Sequence, residues 1–381
     1  MMGLLRYTKE HDDFRQRLRG FLEQEVMPHA GEWEENKIVP KSAWKKMGAA
    51  GFLSTAVSTE YGGGGKDFLH SVIVSEEMIR TGQGGLVAGF HSDIVVPYIE
   101  SFGSEEQKKK YLPKCVSGDI ITAVAMTEPN AGSDLASLQT TAVEDGDDIV
   151  INGSKTFISN GANCDMVILA AKDPLVDNKY EAVSLYIVED GTKGFSRGRK
   201  LEKMGLHSQD TAELFFTDCR IPKTNLLGEK GRGFRMLMEK LQQERLVTAI
   251  WSVAAAEHVL EMAIAYCRAT LVGGKPLSKS QAARFALAEM ATEVQMNRVF
   301  LDHVIGQHME GKDVTKETMM SKFASSEMSN HLIDRALDLC GQAGILENNP
   351  LVRYFRDLRV FTIFAGTTEI MKTIIAGAMN L

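Results

Sequence analysis

Hydrophobic and polar residues alternate along this chain with two different periods, and the changes of period divide it into three parts. In the first part, apolar residues recur every three or four positions, which is typical of one buried face of an α-helix. Phe14, Leu18 and Leu22 have this spacing between Thr8, a candidate helix N-cap, and Gly31. The same period predicts further helices after Pro40 and over residues 68–81, 91–101 and 104–117. The first part is therefore predicted to be helical.

From Ile121 onwards the apolar runs become shorter, and several of them alternate with polar residues. Turns such as Glu144–Asp147 separate these runs, a pattern that is typical of antiparallel strands. The predicted strands cover residues 121–126, 148–153, 166–171, 183–189 and 213–218. The second part is therefore predicted to be a compact antiparallel β domain.

Long helical patterns return after Pro222 and the glycine-rich segment Leu227–Gly233. They cover residues 234–269, 280–310, 315–340 and 354–379. Four long helices of this kind are typical of a bundle. The predicted fold class is α+β, with an N-terminal α-helical domain at residues 1–120, a middle antiparallel β domain at residues 121–226 and a C-terminal four-helix bundle at residues 227–381.

Charge and composition narrow the classes of function. The 381-residue chain has a formal net charge of −7 and no long basic block, which argues against a nucleic-acid partner. It has neither a signal-peptide pattern nor a run of 18 apolar residues, so no membrane and a cytoplasmic location are predicted. Five scattered cysteines without a Cys-x-x-Cys pair disfavour disulfides and zinc. The glycines Gly62–Gly65 lack the Ser or Thr after Lys66 that a P-loop requires, so they are predicted to form a flexible connector.

Two polar stretches, Met126–Asp134 and Lys155–Gly161, each adjoin an apolar strand-like run. Both are rich in glycine, asparagine, serine and threonine, residues that present backbone N–H groups and short hydroxyls at strand ends. The two stretches are close enough in the chain for a hairpin of strands to bring them together. We therefore predict that the two stretches meet at one site for a flat ligand with polar edges.

Three further motifs follow in the chain: Lys203–Phe216, Arg356–Asp357 and Ile363–Ile370. Together with the two polar stretches and the α–β–α order, they resemble the motifs of the acyl-CoA dehydrogenase family. Gln243–Leu246 resembles the long-chain and isovaleryl branch of that family. The resemblance implies FAD as the cofactor, an acyl-CoA thioester as the substrate and a role in fatty acid β-oxidation. It also implies a homotetramer that passes electrons to electron-transfer flavoprotein.

In the implied reaction a base removes the α proton, a hydride passes from the β carbon to flavin N5, and the product is a trans-2-enoyl-CoA. Much of the family carries the base as a glutamate at the position of Ala365, and an alanine cannot take a proton. The long-chain and isovaleryl branch carries it at the position of Glu244. The apolar neighbours Leu241, Leu246 and Val247 favour burial and a raised pKa for Glu244, whereas a lone helical glutamate is ordinarily a solvated surface residue.

The resemblance also implies the other site residues. Those of the cofactor are Met126, Thr127, Ser133, Phe157, Ser159, Asp338, Gly341, Gln342, Thr367 and Glu369, and those of the substrate are Ser133, Asp93, Arg245, Ala365 through its backbone N–H, and Gly366. Structural alternatives stay open for several of them. Phe157 and Ser159 fit plain strand packing, Thr367 with Glu369 fits a helix N-cap, and Arg245 fits a surface ion pair. Three interpretations stay open for Asp93. It contacts a polar or cyclic acyl group, it is a second proton-transfer residue, or it is an aspartate on the surface of a helix.

Three departures from the family pattern concern the far end of FAD. The family's arginine and phenylalanine, which reach the pyrophosphate of the neighbouring subunit, are Thr270 and Gly273 here, and Arg268 points to another face of the helix. Asp338 and Gln342 replace a glutamine and a glycine, so an acid lies near the phosphates. Weaker FAD binding is expected. The alternatives are an acyl-CoA oxidase, a cyclic-acyl-CoA dehydrogenase, or a flavin-poor subunit of a hetero-oligomer.

Overall fold

The computed structural model describes residues 3–381, in which helices flank a central β sheet on both sides in sequence. The α-helices, numbered α1 to α11, are Lys9–Glu25, Ala30–Asn36, Lys41–Ala49, Phe68–Arg80, Val96–Phe102, Glu105–Ser117, Gly233–Ala269, Gln281–Met309, Thr315–Cys340, Pro350–Leu358 and Thr368–Ala378. The strands, numbered β1 to β10, are Thr122–Ala125, Thr141–Asp145, Asp148–Ser159, Met166–Lys172, Val183–Glu189, Phe195–Lys200, Thr211–Pro222, Leu226–Leu227, Leu271–Val272 and Lys275–Pro276. The predicted α+β class is confirmed, and the boundaries at residues 120 and 226 stay predictions.

The first helices follow the predicted pattern, except that α1 is shorter than predicted. Thr8 is the N-cap of α1, and its backbone N–H donates to Nδ1 of His11 at 3.0 Å. The helix ends at Glu25 and not near Gly31, because Pro28 lies in a 3₁₀ turn that separates α1 from α2.

The predicted flexible connector at the four glycines is wrong. The amide of Gly65 donates to Val57 O at 2.9 Å, and the amide of Gly63 donates to Ser58 O at 3.1 Å. A Cβ atom on Gly63 would lie 2.0 Å from Val57 O. The glycines are therefore needed for a tightly packed turn.

The sheet has the strand order β6-β7-β3-β2-β4-β5-β8, with β1 also paired to β4. Most pairs are antiparallel, as predicted, but β1 runs parallel to β4, and β2 makes one parallel pairing with β4. The sequence pattern missed β2, β6 and the two-residue strands β8, β9 and β10. Strand β6 is rich in basic residues and half-exposed, so it has no apolar alternation to detect.

The second polar stretch does not only adjoin a strand, as expected from the sequence, but lies mainly within strand β3. Lys155–Ser159 forms the end of β3, but its pairing with β7 shifts register between Lys155 and Ile158. Phe157 has φ +56° within this irregularity, and Asn160 has φ +58° just after it. A β-bulge of this kind re-aims a side chain out of the strand's normal alternation.

The bundle is built around α7, a 37-residue helix that packs against α4, α8 and α9. The window of α7 that is apolar enough to cross a membrane is 72% buried, as in the core helix of a soluble protein, so its length is weak evidence for a span. The fourth predicted helix is wrong as a single element: α10 passes into a 3₁₀ turn, Arg359–Thr362, and α11 starts at Thr368. Left-handed backbone at Ala365 (φ +52°) and Gly366 (φ +98°) interrupts it. Of the eleven residues of α11, only Thr368 and Met371 are buried.

Candidate active site

A cavity of about 1260 Å³ lies between the sheet, α4, α7 and the turn that precedes α11. Nine of the residues predicted for the site line it: Met126, Thr127, Ser133, Phe157, Ser159, Glu244, Ala365, Gly366 and Thr367. These residues come from the two polar stretches, from α7 and from the turn before α11. The fold therefore brings them to one place.

A buried ion pair joins the two polar stretches of the β domain. Nζ of Lys155 donates to Oε1 of Glu128 at 2.8 Å and to the Met126 carbonyl at 3.0 Å, and the Thr156 amide donates to Thr127 O at 3.0 Å. The Lys155 side chain is 0% exposed, and burial lowers its pKa to about 8 despite the opposing effect of Glu128. The two stretches thus meet, as predicted, and Lys155 fixes the backbone at Met126.

Phe157 presents an aromatic face to the cavity. Its side chain is 68% exposed, and it lines the cavity from the irregular end of β3. Plain strand packing would have buried this ring against the sheet. The alternative of strand packing is therefore wrong for Phe157. An exposed aromatic ring at the edge of a cavity suits a flat aromatic ligand.

Glu244 lies on the cavity wall contributed by α7 and is only 5% exposed. The hydroxyl of Tyr98 donates to its Oε1 at 3.1 Å. Burial raises the pKa of Glu244 to about 7, and Tyr98 and Arg245 oppose the shift. The interpretation as a solvated surface glutamate is therefore wrong. Sequence reasoning missed Tyr98, whose helical spacing alone does not show that its hydroxyl meets a carboxylate.

The turn opposite this wall contains Ala365, Gly366 and Thr367. Nε of Arg245 donates to Ala365 O at 3.3 Å, and Nζ of Lys322 donates to Gly366 O at 2.5 Å. Thr367 is the N-cap of α11, with its hydroxyl accepting from the Ile370 amide at 3.3 Å. The N-cap alternative thus holds for Thr367, which also lines the cavity. Sequence reasoning missed Lys322, a fully buried lysine among small residues of α9.

Comparison with known proteins agrees with this geometry. Models of the acyl-CoA dehydrogenase N-terminal, middle and C-terminal domains match residues 8–119, 123–219 and 231–380. The chain is 41% identical over 371 residues to the long-chain specific acyl-CoA dehydrogenase of Sus scrofa mitochondria, covering 97% of this chain and 86% of that protein. The chain belongs to the acyl-CoA dehydrogenase family. It is an enzyme, an oxidoreductase that acts on CH–CH groups, and members of its family are flavoproteins that use FAD.

Two solved structures of similar proteins resemble this acyl-CoA dehydrogenase throughout. An acyl-CoA dehydrogenase from Geobacillus kaustophilus is 49% identical with a TM-score of 0.98 and covers 100% of both chains. A structure described as an electron transferring flavoprotein of Acidaminococcus fermentans is 33% identical with a TM-score of 0.94, covering 98% of this chain and 99% of that chain. The whole chain therefore has the family's fold.

Two residues implied for the substrate lie behind the cavity wall. Phe90 and Ile94 line the cavity, but Asp93 between them does not. Asp93 is 5% exposed, so the helix-surface interpretation is wrong, and burial raises its pKa to about 7. Arg245 is also buried and contacts Ala365 O, so the surface ion pair is wrong for it as well.

The residues predicted for the far end of FAD are on the outside of the described chain. Asp338, Gly341, Gln342 and Glu369 are exposed and do not line the cavity, and Glu369 lies in the first turn of α11. Thr270 is the C-cap of α7, and Gly273 forms the β9–β10 turn with φ +58°.

Proposed function

We propose that this member of the family converts an acyl-CoA thioester to the trans-2-enoyl-CoA, with Glu244 as the base and FAD in the cavity. The observation that carries the proposal is the buried carboxyl of Glu244 on the wall of a cavity that also contains Phe157 and the 365–367 turn. A carboxyl with a pKa of about 7 is half ionised at neutral pH, which suits a general base.

The residues of the cavity fit a flavin. The exposed ring of Phe157 offers a face for stacking, and Thr127, Ser133 and Ser159 supply hydroxyls for the polar edge. FAD, when bound, supplies the acceptor for the hydride that leaves the β carbon. Lys155 holds the backbone of this wall through the Met126 carbonyl, so the wall is fixed before the ligand arrives.

The α7 wall fits the acyl chain. Thr248, Trp251 and Ala255 follow Glu244 at helical spacing, and all four line the cavity. Trp251 lies beside Phe364, with 6.2 Å between ring centroids. The burial of Glu244 on this wall favours its uncharged form.

The cavity also carries charges that suit phosphates. Arg199, Lys200 and Arg359 line it, and positive charge there favours the pyrophosphate of a CoA ester or of a dinucleotide. Because Thr270 and Gly273 cannot hold a phosphate, we propose that these cations compensate in part.

We further propose a homotetramer in the cytoplasm with electron-transfer flavoprotein as the electron acceptor. The exposed positions of Asp338, Gly341 and Gln342 support a second subunit at the far end of the cofactor, in a homo- or hetero-oligomer. The five cysteines are free and buried, which suits a reducing compartment.

The test begins with the absorbance spectrum of the purified protein, reconstituted with FAD, in which an oxidised flavin absorbs at roughly 370 and 450 nm. Acyl-CoAs of increasing chain length are then assayed with an artificial electron acceptor. Glu244→Gln is expected to lower turnover by about 10²–10⁴-fold with flavin retained, and the exposed Glu239→Gln on the same helix is the control. No flavin bands after reconstitution would exclude the enzyme, and an active Glu244→Gln would show that another group is the base.

A further inference from the structure

Two buried cations donate hydrogen bonds to the backbone carbonyls of the 365–367 turn. The side chain of Lys322 is 0% exposed and Arg245 is 8% exposed, and they donate to the consecutive carbonyls of Gly366 and Ala365. Within residues 3–381, neither cation has a carboxylate within 4.0 Å. A buried charge without a counter-ion is costly, so Lys322 depends on the carbonyl of Gly366 and Arg245 on the carbonyl of Ala365.

The cost of burying a charge is reflected in the pKa of Lys322. Burial, reinforced by the nearby charge of Arg245, lowers the pKa of Lys322 to about 8, while Glu327 and Glu369 act in the opposite direction. An uncharged residue at this position of α9 would avoid the free-energy cost of burying a charge. The lysine therefore calls for an explanation beyond packing.

The two hydrogen bonds to the carbonyls of Ala365 and Gly366 orient the peptide groups that also carry the N–H of Gly366 and Thr367. Within residues 3–381, all peptide bonds are trans, so each C=O points away from the N–H of the same peptide group. The Gly366 and Thr367 amides thus point away from Arg245 and Lys322. Among the described residues, the N–H groups of Ala365, Gly366 and Thr367 donate to no acceptor, and all three residues line the cavity.

We propose that Lys322 is a positioning residue that, together with Arg245, presents the amides of the 365–367 turn to the thioester carbonyl of the substrate. This rests on the proposed function, in which negative charge develops on that oxygen when the α proton leaves. Backbone donors aimed in advance at such an oxygen stabilise the transition state more than the ground state. Lys322 itself contacts only the back of the turn.

The variants separate the ammonium group from the packing of its stem. Lys322→Met keeps the length of the side chain and removes the donors, whereas Lys322→Arg keeps a cationic donor. Lys279→Met, at an exposed lysine, is the control for the loss of one positive charge. Each protein is loaded with FAD, and kcat, KM and flavin content are measured with the best acyl-CoA of the chain-length screen.

A spectroscopic readout is added because a purely structural role would also lower activity. The infrared carbonyl band of a bound trans-2-enoyl-CoA, ¹³C-labelled at the thioester carbon, reports how strongly the protein polarises that bond. For Lys322→Met we expect kcat per bound flavin to fall on the order of 10²-fold. KM should stay within about twofold. The band should move towards that of the free thioester, and Lys322→Arg should restore part of both effects.

A Lys322→Met enzyme whose band and kcat per flavin equal those of Lys279→Met would overturn the proposal. If Lys322→Met does not fold, Lys322→Arg is compared with Lys279→Met in its place. The guanidinium of Lys322→Arg donates from a different position, so the proposal then requires that the carbonyl band and kcat change together. An unchanged band with lowered kcat also refutes it. Failure of the proposed function is distinguishable, since then the wild-type and control proteins would not oxidise any acyl-CoA.

Discussion

Replacing Glu244 by glutamine should stabilise the protein at alkaline pH while removing its activity. The carboxyl is buried, and its pKa is raised from 4.5 to about 7. In the folded state it therefore binds more protons than in the unfolded chain between pH 4.5 and 7. The contribution of protonated Glu244 to the free energy of unfolding is fully present below pH 4.5. It is lost as pH rises through about 7, because the folded protein must then hold a buried carboxylate.

The size of the effect follows from the same shift. A change of pKa from 4.5 to about 7 corresponds to about 3 kcal/mol, at 1.36 kcal/mol for each tenfold change in proton affinity. Glutamine has nearly the shape of the protonated acid and still accepts from Tyr98, so Glu244→Gln should be about 3 kcal/mol more stable than the wild type at pH 8. At pH 4.5 the difference should nearly vanish, since a carboxyl with a pKa of about 7 is then protonated.

The assay is urea denaturation of both proteins at the two pH values, followed by tryptophan fluorescence, with free energies from linear extrapolation. Glu239→Gln, which alters an exposed glutamate of the same helix, should show no such pH-dependent gain. Equal stability of Glu244→Gln and wild type at pH 8 would refute the reasoning, because it would mean that Glu244 is not held in a desolvated site.

Three other changes test the remaining parts of the site. Tyr98→Phe removes the hydroxyl that favours ionised Glu244, so the acid limb of the pH profile of kcat/KM should move up by about one pH unit; an unmoved limb would contradict the contact. Lys155→Met leaves Glu128 buried without its counter-ion and should cost about 3 kcal/mol in urea denaturation, unlike the exposed Lys279→Met. Gly366→Ala forces a Cβ into left-handed backbone and should cost about 1–2 kcal/mol and lower kcat, whereas full activity would show that the turn tolerates distortion.

The periods of apolar residues predicted most helices and strands, because burial on one face imposes those periods directly. They failed where backbone conformation and not burial decides the structure. Residues 354–379 keep a helical pattern across the break at Ala365 and Gly366, and nothing in an alanine announces a φ of +52°. The irregular end of β3 escaped for the same reason, since only the paired strand reveals the register shift.

The sequence predicts the chemistry of the site where the type of a single residue determines its role. It does not predict the chemistry where the role depends on neighbours from other segments of the chain. The resemblance and the alanine at position 365 pointed to Glu244, and its burial agrees. The sequence shows Lys322 as an ordinary polar residue of a helix and leaves several roles open for Asp93, because the surroundings of both residues come from other segments of the chain. Likewise, Arg245 was placed near the substrate, but its guanidinium supports the turn from behind.

The break before α11 also bears on how this enzyme is inactivated. The 365–367 turn leads into α11, which buries only two of its residues in the single chain, whereas Glu244 lies within the largely buried helix α7. Segments with so little buried surface open locally before the core unfolds. Heating should therefore abolish activity by opening α11 while the sheet and α7 remain folded, and activity should return when α11 folds again.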